Sequence, residues 1–284
     1  MVLDAASWNP RFAELPGRGR MRYYEWPGPV GAPAVVLLHG LAATGRLNWA
    51  TSAPALARHF RVVVVDHRGH GQGIRTHHFR LADCADDVVA LADLLGIESF
   101  VGVGYSMGGP IAKLCWHRHR DRVRGLVLCA TARHFMRREA KAVLAAVIPG
   151  MVLGARAVPD FFRARIVEAM LRDVPPGPRR DFARAEMMAT DPATVFQAAR
   201  AVIRFSSRDW VSNIDVPTAV VVTTRDRLVP PASQYKLARA IGGAKVFEVD
   251  GDHLACVRAA DTFVDALIQA CTHVTAVTTA GQVA

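Results

Sequence analysis

The sequence predicts an α/β fold: a mostly parallel, doubly wound sheet with a helical cap inserted between two of its strands. Three observations lead there. Short, almost uninterrupted apolar runs recur along the 284 residues; helix-patterned segments separate them; and one long block, 133–215, carries helical patterns without a convincing strand. Uninterrupted apolar strands suit a sheet covered on both faces, and strand–helix alternation marks parallel connections. The body of the fold is accordingly assigned to residues 1–131 and 216–284, and the cap to 132–215.

In chain order the expected strands are Val35–Leu38, ending at His39-Gly40; Val62–Val65, ending at Asp66; Phe100–Gly104, ending at Tyr105-Ser106; Leu126–Leu128; Ala219–Val222, ending at Thr223; and Lys245–Val249, ending at Asp250. Most are rich in β-branched residues and stop at a polar or glycine-bearing turn. Ala82–Leu95 repeats apolar residues at three- and four-residue spacing, with Val88, Leu91, Leu94 and Leu95 on one side, and Gly96 follows as a helix stop. After Ser106, Ile111, Leu114 and Cys115 share a helical face. Inside the cap, Asp160–Leu171 and Pro178–Met188 read as helices divided by the turn Pro175-Pro176-Gly177-Pro178. The tail from His273 to Ala284 is rich in Thr, Val and Ala without a period and is expected to fray.

Composition narrows the function. With 51% apolar and 21% charged residues, the chain is too hydrophobic to be disordered. Lys and Arg total 35 against 25 Asp and Glu, a net charge of +10, and 14 against 9 of these lie within 133–215. A nucleic-acid surface would cluster its basic residues with aromatics; these arginines are scattered, which argues against that partner. The leading reading is a solvated arginine-rich surface; Arg137, Arg138, Arg163 and Arg165 on the cap offer the weaker alternative of steering anionic substrates or weak association with an anionic membrane surface. Cys84, Cys115, Cys129, Cys256 and Cys271 form no C-x-x-C pair and are expected to stay reduced. Residues 1–22 lack the apolar core of a signal peptide, and Val143–Gly154 is broken by Pro149-Gly150 and too short to span a bilayer. A soluble cytoplasmic protein is expected.

The sharpest motif is Gly104-Tyr105-Ser106-Met107-Gly108, between an apolar strand and a helical pattern. A strand turning abruptly into a helix holds its serine in a strained conformation, so the residues two away on either side must lack side chains. The helix N-terminus then favours negative charge at the serine oxygen. A serine hydroxyl needs a base, and of 11 histidines His253 stands out, in the loop Asp250-Gly251-Asp252-His253 after the last strand. His39 is followed at once by Gly40, which suits backbone work better. His67, His70, His77 and His78 crowd one region but lack an H-E-x-x-H-type pattern, so solvated loop histidines are expected and no metal. The base needs an acid to orient it. Asp226 lies just past a strand, with an ion pair to Arg225 or Arg227 as its alternative role; Asp250 and Asp252 are rivals too close to His253 to reach behind it. The order Ser106, Asp226, His253 is that of a nucleophile-elbow hydrolase.

These features together resemble the α/β-hydrolase superfamily, in its capped serine esterase/lipase-like branch. The resemblance runs from about Arg22 to Gln269 and includes His39-Gly40-Leu41, Asp66-His67-Arg68-Gly69-His70-Gly71, the Gly-Tyr-Ser-Met-Gly-Gly elbow, Asp226 and His253. It implies oxyanion N–H donors at Leu41 and Met107, with His39, Gly40 and Tyr105 lining the substrate site, and a helical lid where the sequence places one. One position departs: Asp252 stands where a glycine commonly precedes the histidine.

The implied reaction passes through an acyl-enzyme on Ser106 and calls for no cofactor. A serine at 106 argues against the dehalogenases and epoxide hydrolases of this superfamily, which use an aspartate there. Val143–Ile148 and Phe161-Phe162 suggest an apolar acyl or alcohol group, with packing of the cap onto the body as their alternative role; the expected substrate is a small-molecule carboxylic ester, or a thioester, of small to medium, partly apolar size. The alternatives are a carbon–carbon bond hydrolase of ring-cleavage products, a cofactor-free perhydrolase or haloperoxidase, and a non-enzymatic ligand-binding protein on the same fold.

Overall fold

A computed structural model describes residues 8–136, 160–172, 174 and 176–283. Its strands are β1 (Arg11–Leu15), β2 (Gly19–Trp26), β3 (Ala34–Leu38), β4 (Arg61–Val65), β5 (Phe100–Tyr105), β6 (Val123–Cys129), β7 (Thr218–Thr223) and β8 (Lys245–Val249). They form one sheet in the order β1-β2-β4-β3-β5-β6-β7-β8. The pairs from β4 to β8 are parallel, and only β1–β2 and β2–β4 are antiparallel.

The apolar runs alternate their side chains between two cores. Val36, Leu38, Val63, Val65, Leu126, Leu128, Val220 and Val222 meet α3 (Leu81–Leu94), α4 (Gly108–Arg118) and α8 (Pro231–Ala240) on one face. Val35, Leu37, Val62, Val64, Val101, Val103, Val127 and Val221 meet α1 (Gly45–Trp49), α2 (Ser52–Leu56), α9 (Ala255–Arg258) and α10 (Ala260–Val283) on the other. A period of two puts neighbouring residues on opposite faces, so a strand covered twice must be apolar throughout. Each such side chain contributes about 1.5–3 kcal/mol on full burial. β8, at the edge, is covered less and keeps Lys245 and Glu248 exposed.

Two strands escape a search for apolar runs. β1 and β2 mix arginines and glutamate with buried residues, and the turn between them is Leu15-Pro16-Gly17-Arg18, with Gly17 at φ +69° and Arg18 N–H bonded to the Leu15 carbonyl at 2.9 Å. Pro then left-handed Gly is the type II turn chemistry. α3 ends as expected at Gly96, φ +62°, but Leu94 lies off the buried face and is 56% exposed.

The block between β6 and β7 contains α5 (Asp160–Met170), α6 (Pro178–Met188) and α7 (Pro192–Arg204) among its described residues. The first two match the sequence reading. The third carries its own start signal: Asp191 accepts from Ala193 N–H at 3.0 Å, and Pro192 occupies the first helical position. The apolar run Val143–Ile148 and Arg137 and Arg138 lie outside the described residues.

The tail is a correction. Instead of fraying after Cys271, α10 continues to Val283, because Val274 is fully buried against Gly125 and the Thr278 hydroxyl bonds the Arg124 carbonyl at 3.1 Å. Tertiary docking overrides weak helix propensity here. All five cysteines are buried and unbridged. Among the described residues no helix is long and apolar enough to cross a membrane.

Candidate active site

β5 ends at Tyr105 and α4 begins at Gly108, so Ser106 and Met107 make the whole turn. Ser106 is held at φ +50°, a left-handed conformation that costs a non-glycine residue about 1–3 kcal/mol. Its surroundings enforce it: Ser106 N–H bonds the Cys129 carbonyl at 2.9 Å, and its own carbonyl accepts from Thr131 Oγ1 at 2.9 Å. The flanking glycines are required by close approach. A Cβ on Gly104 would lie 2.2 Å from the Gly108 carbonyl oxygen, and one on Gly108 would lie 2.1 Å from that of Leu38.

His253 Nε2 lies 2.9 Å from Ser106 Oγ, and its Nδ1 lies 2.7 Å from Asp226 Oδ2. Three loops at the C-terminal ends of parallel strands, 147 and 27 residues apart in sequence, thus meet at one point. The Asp226 side chain is fully buried; its Oδ1 accepts from the N–H groups of Leu228 and Val229 at 2.8 Å each, and its Oδ2 also accepts from Thr223 Oγ1 at 2.9 Å. Burial works to raise this carboxyl, but the His253, Val229 and Thr223 bonds outweigh it and hold it below the ordinary aspartate value. An ionised acceptor behind Nδ1 fixes the tautomer that leaves Nε2 free to take the serine proton. The rivals are engaged elsewhere: Asp250 pairs with Arg225 at 2.7 Å and Asp252 with Arg258 at 2.8 Å. Asp252 also accepts from Leu254 N–H at 2.8 Å, which accommodates it where a glycine was expected.

The loop carrying Leu41 passes directly against the serine, since a Cβ on Gly40 would be 3.4 Å from Ser106 Cβ. Among the described residues, the N–H groups of Leu41 and Met107 meet no protein acceptor.

His39, Gly40 and Tyr105 were expected at the substrate site. All three are buried, and their polar atoms are taken. His39 Nε2 accepts from His67 N–H at 3.0 Å, so Nδ1 carries the proton and donates to the Gly40 carbonyl at 2.7 Å. Tyr105 donates its hydroxyl to the His253 carbonyl at 2.9 Å, anchoring the histidine loop from below, and burial pushes its phenol above the ordinary range. They support the site from behind. Gln234 is a support that the sequence reading missed: its amide bonds Thr223 Oγ1 at 2.9 Å and Asp226 Oδ2 at 3.3 Å.

The histidines after β4 are a second correction. His77 and His78 are exposed, but His67 and His70 are fully buried and pack around His39, with ring centroids 4.3 Å and 5.3 Å from it. Burial holds His39 down at about 4 and His70 at about 3, and lowers His67 in the same direction. Among the described residues no group of three His, Cys, Asp or Glu side chains is placed to hold a metal ion. On the outer side of the histidine loop an open cleft of about 860 Å³ is lined by Arg225, Arg227, Leu228, Leu254 and Arg258 beside His253. Of the arginines expected on a cap, Arg165 is exposed, and the Arg163 side chain lies outside the described residues.

Comparison with known proteins agrees with the fold. A family model described as the alpha/beta hydrolase fold matches residues 33–260. A bifunctional esterase/perhydrolase of Acinetobacter calcoaceticus is 27% identical over 257 residues, covering 81% of this chain and 87% of that protein. The crystal structure of an enol-lactonase from Burkholderia xenovorans LB400 superposes with a TM-score of 0.77 at 27% identity, covering 92% of this chain and 100% of the other. A hydrolase from Pseudomonas aeruginosa PA01, 24% identical with a TM-score of 0.78 over 92% of this chain and 97% of its own, shares the fold. This chain belongs to the α/β-hydrolase family and, like these relatives, is a hydrolase.

Proposed function

We propose that the protein is a serine hydrolase of carboxylic esters, with thioesters as a chemical extension, acting through an acyl-enzyme on Ser106. The observation that carries this reading is the continuous relay from Asp226 through His253 to Ser106, with both links at hydrogen-bond distance. His253 takes the Ser106 proton as the oxygen attacks the ester carbonyl. Asp226, kept ionised by its four donors, stabilises the imidazolium that forms. The N–H groups of Leu41 and Met107 receive the tetrahedral oxyanion; an oxyanion donor of this kind is worth about 2.7–4 kcal/mol. The imidazolium then protonates the leaving alcohol, and the same histidine activates a water that releases the acid.

The names of the Acinetobacter and Burkholderia relatives support esters, cyclic esters included, over carbon–carbon bonds. The former also supports a second reading, in which hydrogen peroxide replaces water at the acyl-enzyme and yields a peracid. The helices between β6 and β7 act as the cap over this site. The test is hydrolysis of p-nitrophenyl esters from acetyl to palmitoyl by the protein and by Ser106→Ala, beside fluorophosphonate labelling of the serine. Turnover lost in the variant supports the esterase. Labelling without turnover on any ester refutes the substrate class and leaves the nucleophile. No labelling refutes both.

A further inference from the structure

The cap meets the body of the fold through a buried charged cluster. Glu186, on α6, is 7% exposed; its Oε2 accepts from Arg22 Nη2 of β2 at 3.0 Å and from the Thr44 hydroxyl. Arg22 in turn bonds Asp66 Oδ2 through Nε at 2.7 Å. Two carboxylates therefore share one guanidinium, all three nearly closed to water, an arrangement that stands only when every charge is met.

Thr44 links this cluster to the candidate site. It is fully buried, it caps α1 by accepting from Leu47 N–H at 3.1 Å, and it closes the loop 40–44 that carries Leu41. The body of the fold also ties this loop: His39 Nδ1 donates to the Gly40 carbonyl at 2.7 Å, and Ala43 N–H bonds the same carbonyl at 3.4 Å. Gly40 N–H bonds Asn48 Oδ1 at 3.0 Å, Gly45 N–H bonds Asp66 Oδ1 at 2.9 Å, and Ala42 is held at φ +57°, a conformation an alanine keeps only when its surroundings impose it. The same carboxylate that receives the Thr44 hydroxyl thus belongs to the cap. A second contact between the same two elements places Arg46 of α1 over the Phe182 ring of α6, at 4.7 Å.

We propose that Glu186 is a positioning residue for the reaction: through Thr44 it sets the conformation of loop 40–44 and hence the aim of the Leu41 N–H at the oxyanion. This rests on the acyl-enzyme reading above. In this arrangement α6 is a built-in part of the site rather than a removable cover. The body of the fold ties the start of the loop at Gly40, and docking of α6 adds the tie at its end, at Thr44, beyond the strained Ala42.

The experiment compares Glu186→Ala, Thr44→Val and Thr44→Ser with the parent on p-nitrophenyl acetate and in the rate of fluorophosphonate labelling. Phosphonylation also develops charge on an oxygen in the same hole. Glu186→Ala and Thr44→Val are expected to lower kcat and the labelling rate together by about 10- to 100-fold, the scale of a misplaced catalytic contact, with KM within about twofold. Thr44→Ser keeps the hydroxyl and should retain most of the rate. The double variant should be no slower than the worse single variant, because both cut one chain of contacts. Thr190→Val, which loosens the cap elsewhere by removing the acceptor of Gly71 N–H at 3.2 Å, should leave kcat near the parent value. Unchanged kcat in the near-isosteric Thr44→Val, multiplying losses in the double variant, or an equal loss in Thr190→Val would overturn the proposal. A parent protein that resists the fluorophosphonate would instead refute the acyl-enzyme reading, and this proposal with it.

Discussion

Acidifying the protein from pH 7 to pH 5 should remove about 4 kcal/mol of folding stability through His39 and His70 alone. Both are fully buried beside the loop that carries Leu41, and burial holds them neutral, at about 4 and about 3 against an ordinary 6.5. Between those values the unfolded chain binds a proton that the folded chain refuses. A histidine depressed in this way leaves stability intact above pH 6.5 and erodes it as the pH falls toward the folded value. At pH 5 each unfolded imidazole gains about 2 kcal/mol from protonation, nearly all of it accrued below pH 7. His67 is shifted the same way by the same burial and adds to the loss. The whole stability of a domain is commonly about 5–15 kcal/mol, so the effect is a large share of it. Asp226, whose carboxyl is held below 3.8, loses its contribution only at still lower pH and does not confuse this window. Urea unfolding followed by tryptophan fluorescence at half-unit steps reads the slope directly. His67→Leu should flatten it by one proton. Equal stability at pH 7 and pH 5 in the parent protein would refute the claim that these rings are neutral and sealed in the native state.

Four further outcomes follow from named contacts. Asp226→Asn should cut kcat by about 10⁴-fold, because the amide oxygen can still satisfy Leu228 and Val229 N–H while its NH₂ faces His253 and forces the wrong tautomer; ester turnover with circular dichroism as the folding control measures it. Gly108→Ala should destabilise by about 3 kcal/mol or fail to fold, since its Cβ would sit 2.1 Å from a main-chain carbonyl that cannot yield; the thermal midpoint reports this. Lys113 is fully buried with no carboxylate paired to it among the described residues, held at about 7 by burial, and donates to the Ala132 carbonyl at 2.8 Å and Ser207 Oγ at 3.2 Å. Its folded value lies below its unfolded 10.5, so it costs stability fully below pH 7 and progressively less as the pH rises toward 10.5; the gain in stability on Lys113→Met should therefore shrink between pH 7 and pH 10 in denaturant titrations. Tyr105→Phe should lower kcat several-fold with little change in KM, because the His253 carbonyl loses its 2.9 Å anchor while the ring still packs.

Much of the fold was legible because its signals are local. The all-apolar runs at Val35–Leu38, Val62–Val65 and Ala219–Val222 admit few placements other than a sheet covered twice, and the glycines around Ser106 admit few turns other than a strained elbow. Asp226 and His253 could be nominated because each follows a strand, and parallel strands deliver such residues to one end of the sheet. β1 and β2 were not legible by that route: β1 is half exposed, and β2, although buried from Met21 to Tyr24, interrupts its apolar residues with Arg22. Leu94 and the tail of α10 misled for the opposite reason: their exposure and burial depend on which neighbour arrives, as Gly125 arrives beneath Val274.

By itself, then, the sequence determined the class of fold, the nucleophile turn and the candidates for base and acid, because backbone sterics and hydrophobic period act within a few residues. Tertiary structure alone decided that His39, His67 and His70 are sealed and neutral, and that a glutamate of α6 grips the loop beside the serine. Burial and partner choice belong to packing: they arise between residues as far as 142 positions apart, and no local pattern encodes which buried charge will meet which.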